Sequence, residues 1–534
     1  MRRSMLLMLS ACTLAPPAHA QTFSPDRVRA DVAFLADDLT EGRGTGTRGF
    51  DLAARYVASR FEALGLQPGT SSGWNQSIEF VTAIADPRTP SSISFGGKTY
   101  RNTEHVLVSP SVLGAEISGD ADAVFVGYGL EDKALGLDDF RGLDVRGKVI
   151  VQLWGTPEGL PSEVAASLND KKPEIAAAKG AIGTIVILTP ALLKIFPWDK
   201  IVENTNLPRM VWVQPDGKPH IEYPTLRLNA SLDPTGAAAF FAGTPLAGEK
   251  LTALFANTKA RPQGFAIPGK VRIDRHSKIE KVKSENVLGL LPGSDPLLSN
   301  EVIVLSAHLD HLGIVPGKNG DTIANGAMDN AVGVATMMEV ARAFVDSGAK
   351  PKRSMLFVAL TGEEKGLLGS EYLAKYPTLK GKKVVGNVNL DMPVLTHNFT
   401  DVVAFGAEHS TVGRAVARAA KAVGVALTPD PAPEQQSFVR SDHYSFVQEG
   451  IPAVSLDLGP ANGGKAAAEA FEKTHYHDVS DDMRQTFDWQ AGAKFARINY
   501  LIARDLADAP EAPRWYAGDF FGNKFAKGAP KAAK

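Results

Sequence analysis

The chain has 534 residues, 44% of them hydrophobic and 22% charged, proportions of a globular protein of two or more domains that exclude a disordered or fibrous chain. With 57 basic against 59 acidic residues there is no global field to collect nucleic acid or anionic lipid, so partners have to be recognised locally. The only cysteine, Cys12, lies in the first 20 residues; a chain cut after them has no disulfide, thiol nucleophile or thiolate-held zinc.

Those first residues read as an export signal: Arg2 and Arg3, an apolar run from Met5 to Ala15, then Ala18-His19-Ala20 as a small-x-small cleavage site before Gln21. The run is too short to span a membrane, and the expected location is secreted or periplasmic. Leu9-Ser10-Ala11-Cys12 also resembles a lipobox, which makes a lipid anchor at Cys12 the alternative. Cleavage there would leave an apolar core of about five residues against the usual ~7 to 15, which favours cleavage after Ala20.

Residues 26–39 and 51–64 follow as expected helices; in the second, Ala53, Val57, Phe61 and Leu64 share a face and Gly65 ends it. From about Ala121 the texture changes to short β-rich runs, ADAVFVGYGL, GKVIVQLWG and IGTIVILTP, separated by turn residues and one helix near Glu174 to Lys179. After Gly269 strand and helix alternate, with buried-looking runs at 302–305, 355–360 and 384–390 and a helix over about 330–345. Such alternation predicts an α/β fold, a mixed and largely parallel sheet flanked by helices, with ligands collecting at the carboxyl ends of strands. The expected organisation is a signal peptide over 1–20, a first part of the main domain over 21–111, a β-rich insert over 112–265, the main domain over 266–508, and a solvated Pro/Ala/Lys-rich tail over 509–534.

Several acid and imidazole side chains fall at the ends of those runs. SAHLDHLG puts His308 after a strand with Asp310 two residues on, suited to orient the imidazole. GAMDNAVGVA puts Asp329 at the mouth of the next helix, where a lone Asp is normally just a cap. TGEEKGLLGS carries two consecutive carboxylates, Glu363 and Glu364, after an apolar run; like charges held together at a buried edge repel and need a cation. NVNLDMP repeats the theme with Asp391. Two other strings are decoys: Gly69 to Gly73 fits a serine-hydrolase elbow but follows a helix rather than a strand, and Gly44 to Gly49 fits a dinucleotide loop but also follows a helix.

SAHLDHLG, GAMDNAVG, TGEEKGLLGS, NLDM, RSDHYSF and YHDVSDD, in that order, resemble the zinc exopeptidase family that includes secreted bacterial aminopeptidases, glutamate carboxypeptidase and glutaminyl cyclase. The resemblance covers the N-terminal helices and roughly 265–505, and the insert, above all LDDFRGLDVRGKVIV, is similar to a protease-associated domain. It implies two zinc ions per chain, with cobalt or manganese able to share such ligands. His308 and Asp391 would hold one, Glu364 and His477 the other, and Asp329 would bridge them, with Glu363 as general base. His443 competes for the last ligand, but the family's late His-x-x-x-acid spacing is met by His477 with Asp481; His475 fails it, and Asp442 and His443 are assigned to supporting structure. Tyr476 is similar to the oxyanion-stabilising tyrosine of several relatives, and Arg440 is a candidate substrate contact. Met328 and Val332 depart from common family residues and touch no ligand position.

The function these readings imply is an exported two-zinc aminopeptidase acting on peptide N-termini. Rivals are a carboxypeptidase, dipeptidase or other amide hydrolase on the same site, a glutaminyl cyclase, and a non-catalytic binding protein on a peptidase scaffold.

Overall fold

The computed structural model describes residues 22–534 apart from 134, 206 and 319; the leader and Cys12 lie outside the described residues. Helix α1 (Pro25–Leu35) starts where the Ser24 hydroxyl accepts the Arg27 N–H, and α2 (Arg48–Ala63) where the Thr47 hydroxyl accepts that of Phe50. Each offers a buried apolar stripe, Val28, Val32 and Leu35 on one and Phe50, Ala53, Val57 and Phe61 on the other.

Strand β1 (Asn75–Ala85) opens the main sheet. The chain then leaves for a second sheet containing β2 (Glu116–Phe125), β3 (Val149–Leu153) and β4 (Gly183–Ile187). It touches the main sheet again at β5 (Arg209–Trp212), which pairs antiparallel with β1, and returns to the second sheet at β6 (Leu228–Leu232). Neighbours β2–β3, β3–β4 and β4–β6 run parallel. Strand β7 (Phe265–Leu291) belongs to both sheets: its first half pairs with β2 and, from Ser277 onward, it pairs with β1.

The main sheet continues through β8 (Glu301–His308), β9 (Ser354–Leu360), β10 (Lys383–Leu390), β11 (Asp401–Phe405) and β12 (Ala453–Leu458). Its order is β5-β1-β7-β9-β8-β10-β12-β11, parallel across β9-β8-β10-β12 and antiparallel at both flanks. This is the mixed, helix-flanked sheet expected of the sequence, with its parallel run at the centre. Helices α3 (Val332–Asp346) and α6 (Trp489–Asp508) cover one face together with α1 and α2, while α4 (Leu368–Lys375), α5 (Gly464–Thr474) and α7 (Phe520–Phe525) stand elsewhere around it. No described helix is long and apolar enough to cross a membrane.

Two expectations need correcting. The insert's core begins before 112, because Ile93, Phe95, Val106 and Val108 pack into it, and ends within β7 at Ile273. The segment after 509 is not a solvated tail: Trp515 and Phe521 are buried against Phe438 and Tyr444 of the main domain. A few aromatics outweigh its Pro, Ala and Lys, since each ring buries enough apolar surface to fix a short segment.

Candidate metal centre

Strand β8 ends on His308, the residue after β10 is Asp391, and Glu363 and Glu364 lie in a short turn beyond β9. Because β9, β8 and β10 are parallel neighbours, their carboxyl ends deliver these groups to one place. Asp329 arrives from the turn before α3, and its peptide bond to Asn330 is cis. His477 follows α5 and takes a left-handed backbone, φ 56°.

The predicted ligand residues converge. His308 Nε2 lies 3.0 Å from Asp391 Oδ1 and 3.3 Å from Asp329 Oδ1, whereas His477 Nε2 lies 3.4 Å from Asp329 Oδ2 and 3.2 Å from Glu364 Oε2. The two oxygens of Asp329 therefore face two different imidazoles. This donor set, imidazole nitrogens and carboxylate oxygens with no thiolate, suits zinc and its borderline neighbours. His308 and Asp329 are almost wholly buried, and so many desolvated carboxylates in contact require positive charge among them.

The electrostatics agree. Burial works against ionising Asp329, and so does Glu364, yet His308 and His477 hold its carboxyl below the usual range. Glu363 goes the other way: burial pushes its carboxyl well up, and Asp391 and Glu364 add to this against the opposing pull of His308. The adjacent pair thus divides, Glu364 turned among the imidazoles and Glu363 on the wall of an open cavity.

Asp310 departs from its expected part. His308 Nδ1 bonds to the carbonyl of Asp310, at 3.0 Å, rather than to its carboxylate. That carboxylate instead accepts the backbone N–H groups of Glu363 and Glu364 and the hydroxyl of Thr45. The side chain two residues on from a strand-end histidine points toward the next loop, so Asp310 positions the Glu-Glu turn while its backbone orients the imidazole. Asp481 acts similarly on the Asp329 turn, accepting the N–H groups of Met328 and Asp329.

Tyr476 lines the cavity, stacked on His477 with ring centroids 3.9 Å apart, and burial raises its phenol well above the ordinary range, with Asp329 and Glu364 adding to this. Arg440 is exposed on the cavity wall. Asp442 and His443 are fully buried, and the His443 ring packs on Phe438.

Two functional residues were not anticipated. His311 Nδ1 lies 2.7 Å from Glu364 Oε1, so Glu364 is held between His311 and His477. The signal was present as the second imidazole of SAHLDHLG. Arg43, wholly buried, donates to the carbonyls of Leu35, Leu309, Asn325 and Gly326. Burial lowers its pKa to about 10 against the pull of Asp481, Asp329, Asp310 and Glu364. It stands at the edge of the glycine string that resembles a dinucleotide loop and locks the turns bearing the acidic groups.

The cavity, about 430 Å³, opens from this centre between β11, β12 and α5. Residues 286–503 match the profile of peptidase family M28. A probable zinc metalloprotease of Pyrenophora teres f. teres is 26% identical over 46% of this chain and 58% of its own length. A probable leucine aminopeptidase of Arthroderma otae is 33% identical over 23% of this chain and 34% of its own. The chain thus spans less than two thirds of the curated relatives it matches. An aminopeptidase structure from Aneurinibacillus sp. strain AM-1 shares the fold, with TM-score 0.53 and 19% identity over 92% of this chain and 96% of that one.

Proposed function

We propose, from the match of residues 286–503 to peptidase family M28, that the chain is an exported aminopeptidase that removes N-terminal residues from peptides at a two-zinc centre. The observation that carries the reading is Asp329, whose two oxygens face His308 on one side and His477 on the other. His308 and Asp391 would hold one ion, Glu364 and His477 the second, and Asp329 both. Bound there, the pair supplies Lewis acidity and lowers the pKa of the attacking water.

The chain's own groups do the rest. Glu363, on the cavity wall with a raised pKa, takes a proton from the water as its oxygen adds to the scissile carbonyl carbon, then returns it to the leaving amine nitrogen. Asp310 fixes the backbone of Glu363, and the Tyr476 phenol donates to the developing oxyanion. Arg440 faces the same cavity and favours the second reading, a carboxypeptidase with a substrate carboxylate on its guanidinium. The cavity's acidic lining, Asp430, Asp457, Glu469 and Glu472, weighs toward a substrate amine instead. The relatives' printed names, a zinc metalloprotease and a leucine aminopeptidase, support the first reading.

The test is release of free amino acid from peptides with free or acetylated N-termini by metal-loaded protein beside Glu363→Gln. Release from free N-termini alone, abolished in the variant, is expected. Cleavage of acetylated peptides would transfer the reading to a carboxypeptidase or another amide hydrolase.

A further inference from the structure

The cavity's floor is one face of the β11-β12 ladder. In its antiparallel register Val403 stands opposite Asp457 and Phe405 opposite Ser455, and all four line the cavity, while Leu456, between Ser455 and Asp457, is buried on the other face. An aspartate is out of place on such a surface. Strands disfavour it, and this carboxylate, half-buried at the cavity wall, is costly to hold there unless a cation meets it.

Among the described residues no cation is paired with it, although Arg440 and Lys465 line the same cavity. The hydrogen-bond partner of Asp457 is the neighbouring Leu458 N–H, 2.6 Å from Oδ1. Its charged neighbours are acids: burial raises its carboxyl to about 7, and Asp391, Asp430 and Glu472 push the same way. Register places it close to the chemistry, since Leu390 pairs with Leu456 and Asp391 and Asp457 are the next residues of each strand. The arrangement is a partly apolar slot, with Val403 and Phe405 below and Phe471 of α5 across from them, ending in a carboxylate that lacks a counter-ion. Apolar walls take the methylene stem of a long cationic side chain, and the carboxylate takes its head.

We propose that Asp457 is a specificity determinant that selects peptides whose N-terminal residue is lysine or arginine. This rests on the aminopeptidase reading above and names its substrate class. The α-amine is common to every N-terminus, so the discriminating comparison is lysine against norleucine, which differ by the ε-ammonium.

The experiment measures kcat/KM of the metal-loaded full chain on lysyl, arginyl, norleucyl and leucyl para-nitroanilides, for the native protein, Asp457→Asn and Asp457→Glu. Lysyl and arginyl substrates are expected to exceed norleucyl by about 30-fold or more, the worth of one desolvated charge pair. That ratio should collapse in Asp457→Asn and return in part in Asp457→Glu; being a ratio within one preparation, it is insensitive to the fraction folded. A native preference for norleucine or leucine overturns the proposal, as does an equal loss on lysyl and norleucyl substrates in Asp457→Asn, which would assign the carboxylate to the α-amine. Calorimetric binding of free lysine against norleucine reads the slot without turnover. Preferential lysine binding that needs Asp457, in a protein that turns over none of the four, would support the slot and overturn the aminopeptidase reading alone. Absence of both turnover and lysine preference would overturn the proposal too.

Discussion

The main sheet and the insert's sheet are built of similar strands with different surroundings. Ser354–Leu360 is buried at every position, whereas Gly183–Ile187 and Leu228–Leu232 alternate buried with half-buried residues. The first has helices on both faces; the second, away from its fully buried central strand Val149–Leu153, leaves one face nearer to water. A charge at an end of the first is desolvated and has to be matched by another group, while charges on the half-exposed face of the second, such as Arg272 beside Asp120 and Asp274, are screened. Electrostatic consequence therefore follows location in this molecule rather than the number of ion pairs.

That contrast can be broken or sharpened by substitution. The largest effect is expected from Glu363→Gln, which should lower kcat by about 10²- to 10⁴-fold with metal content unchanged by elemental analysis; loss of metal as well would mean that Glu363 is a ligand. Arg43→Met comes next, since it strands buried carbonyls and removes a buried charge among acids. Denaturant unfolding should show a loss of about 3–5 kcal/mol. On the proposed two-zinc reading, His311→Ala should weaken zinc binding at the Glu364 side by about 10- to 100-fold, read by chelator competition with the His308 side as internal reference.

A smaller effect is expected where the insert meets the main domain. His409 bonds through Nδ1 to Asp519, at 2.7 Å, and its Nε2 lies 3.3 Å from Glu163 of the insert helix Ser162–Asp170, with Glu408 also near. Burial opposes the charge, but the hydrogen bond to Asp519 and the adjacent Glu163 carboxylate outweigh it and raise the imidazole from 6.5 to about 9. A raised folded-state pKa gives stability that is complete below about 6.5 and lost as pH rises through about 9, worth about 3 kcal/mol at most. Melting temperature should fall across that window, and His409→Gln should flatten the fall. Smallest of all is Arg272→Ala: its partners Asp120 and Asp274 are solvated on the insert, and no change in melting temperature is expected.

Legibility followed the same division. The buried runs of β8, β9 and β10 are continuous in sequence, and with their strand ends they announced the sheet and the acidic and imidazole groups. Asp329 was visible only through motif order, because its partners come from distant segments. Arg43 was hidden because its meaning is four carbonyls on separate turns, which no local pattern encodes. His311 sits three positions beyond a recognised histidine, and only the fold brings Glu364 to it. The early strands of the insert, Ser92–Phe95 and Lys98–Arg101, have four residues each; the first alternates, but over too few positions to stand out from a loop, so the sequence places the insert's start too late.

The long strand β7 has a consequence for how the molecule avoids its neighbours. Ser277 pairs with Ala85, so the insert leaves and re-enters the main sheet at a single rung, in the place of a hairpin loop. Yet it sends Arg209–Trp212 back to pair with Phe80–Ala83, and the Trp212 indole donates to Glu371 across the seam. A strand that would otherwise present open backbone groups beside Phe80 and Ile78 is capped over this stretch by its own insertion. Removing the insert at that rung would uncover a ready template for pairing with a second chain, so a chain deleted of it is expected to self-associate where the full chain does not, as read by sedimentation.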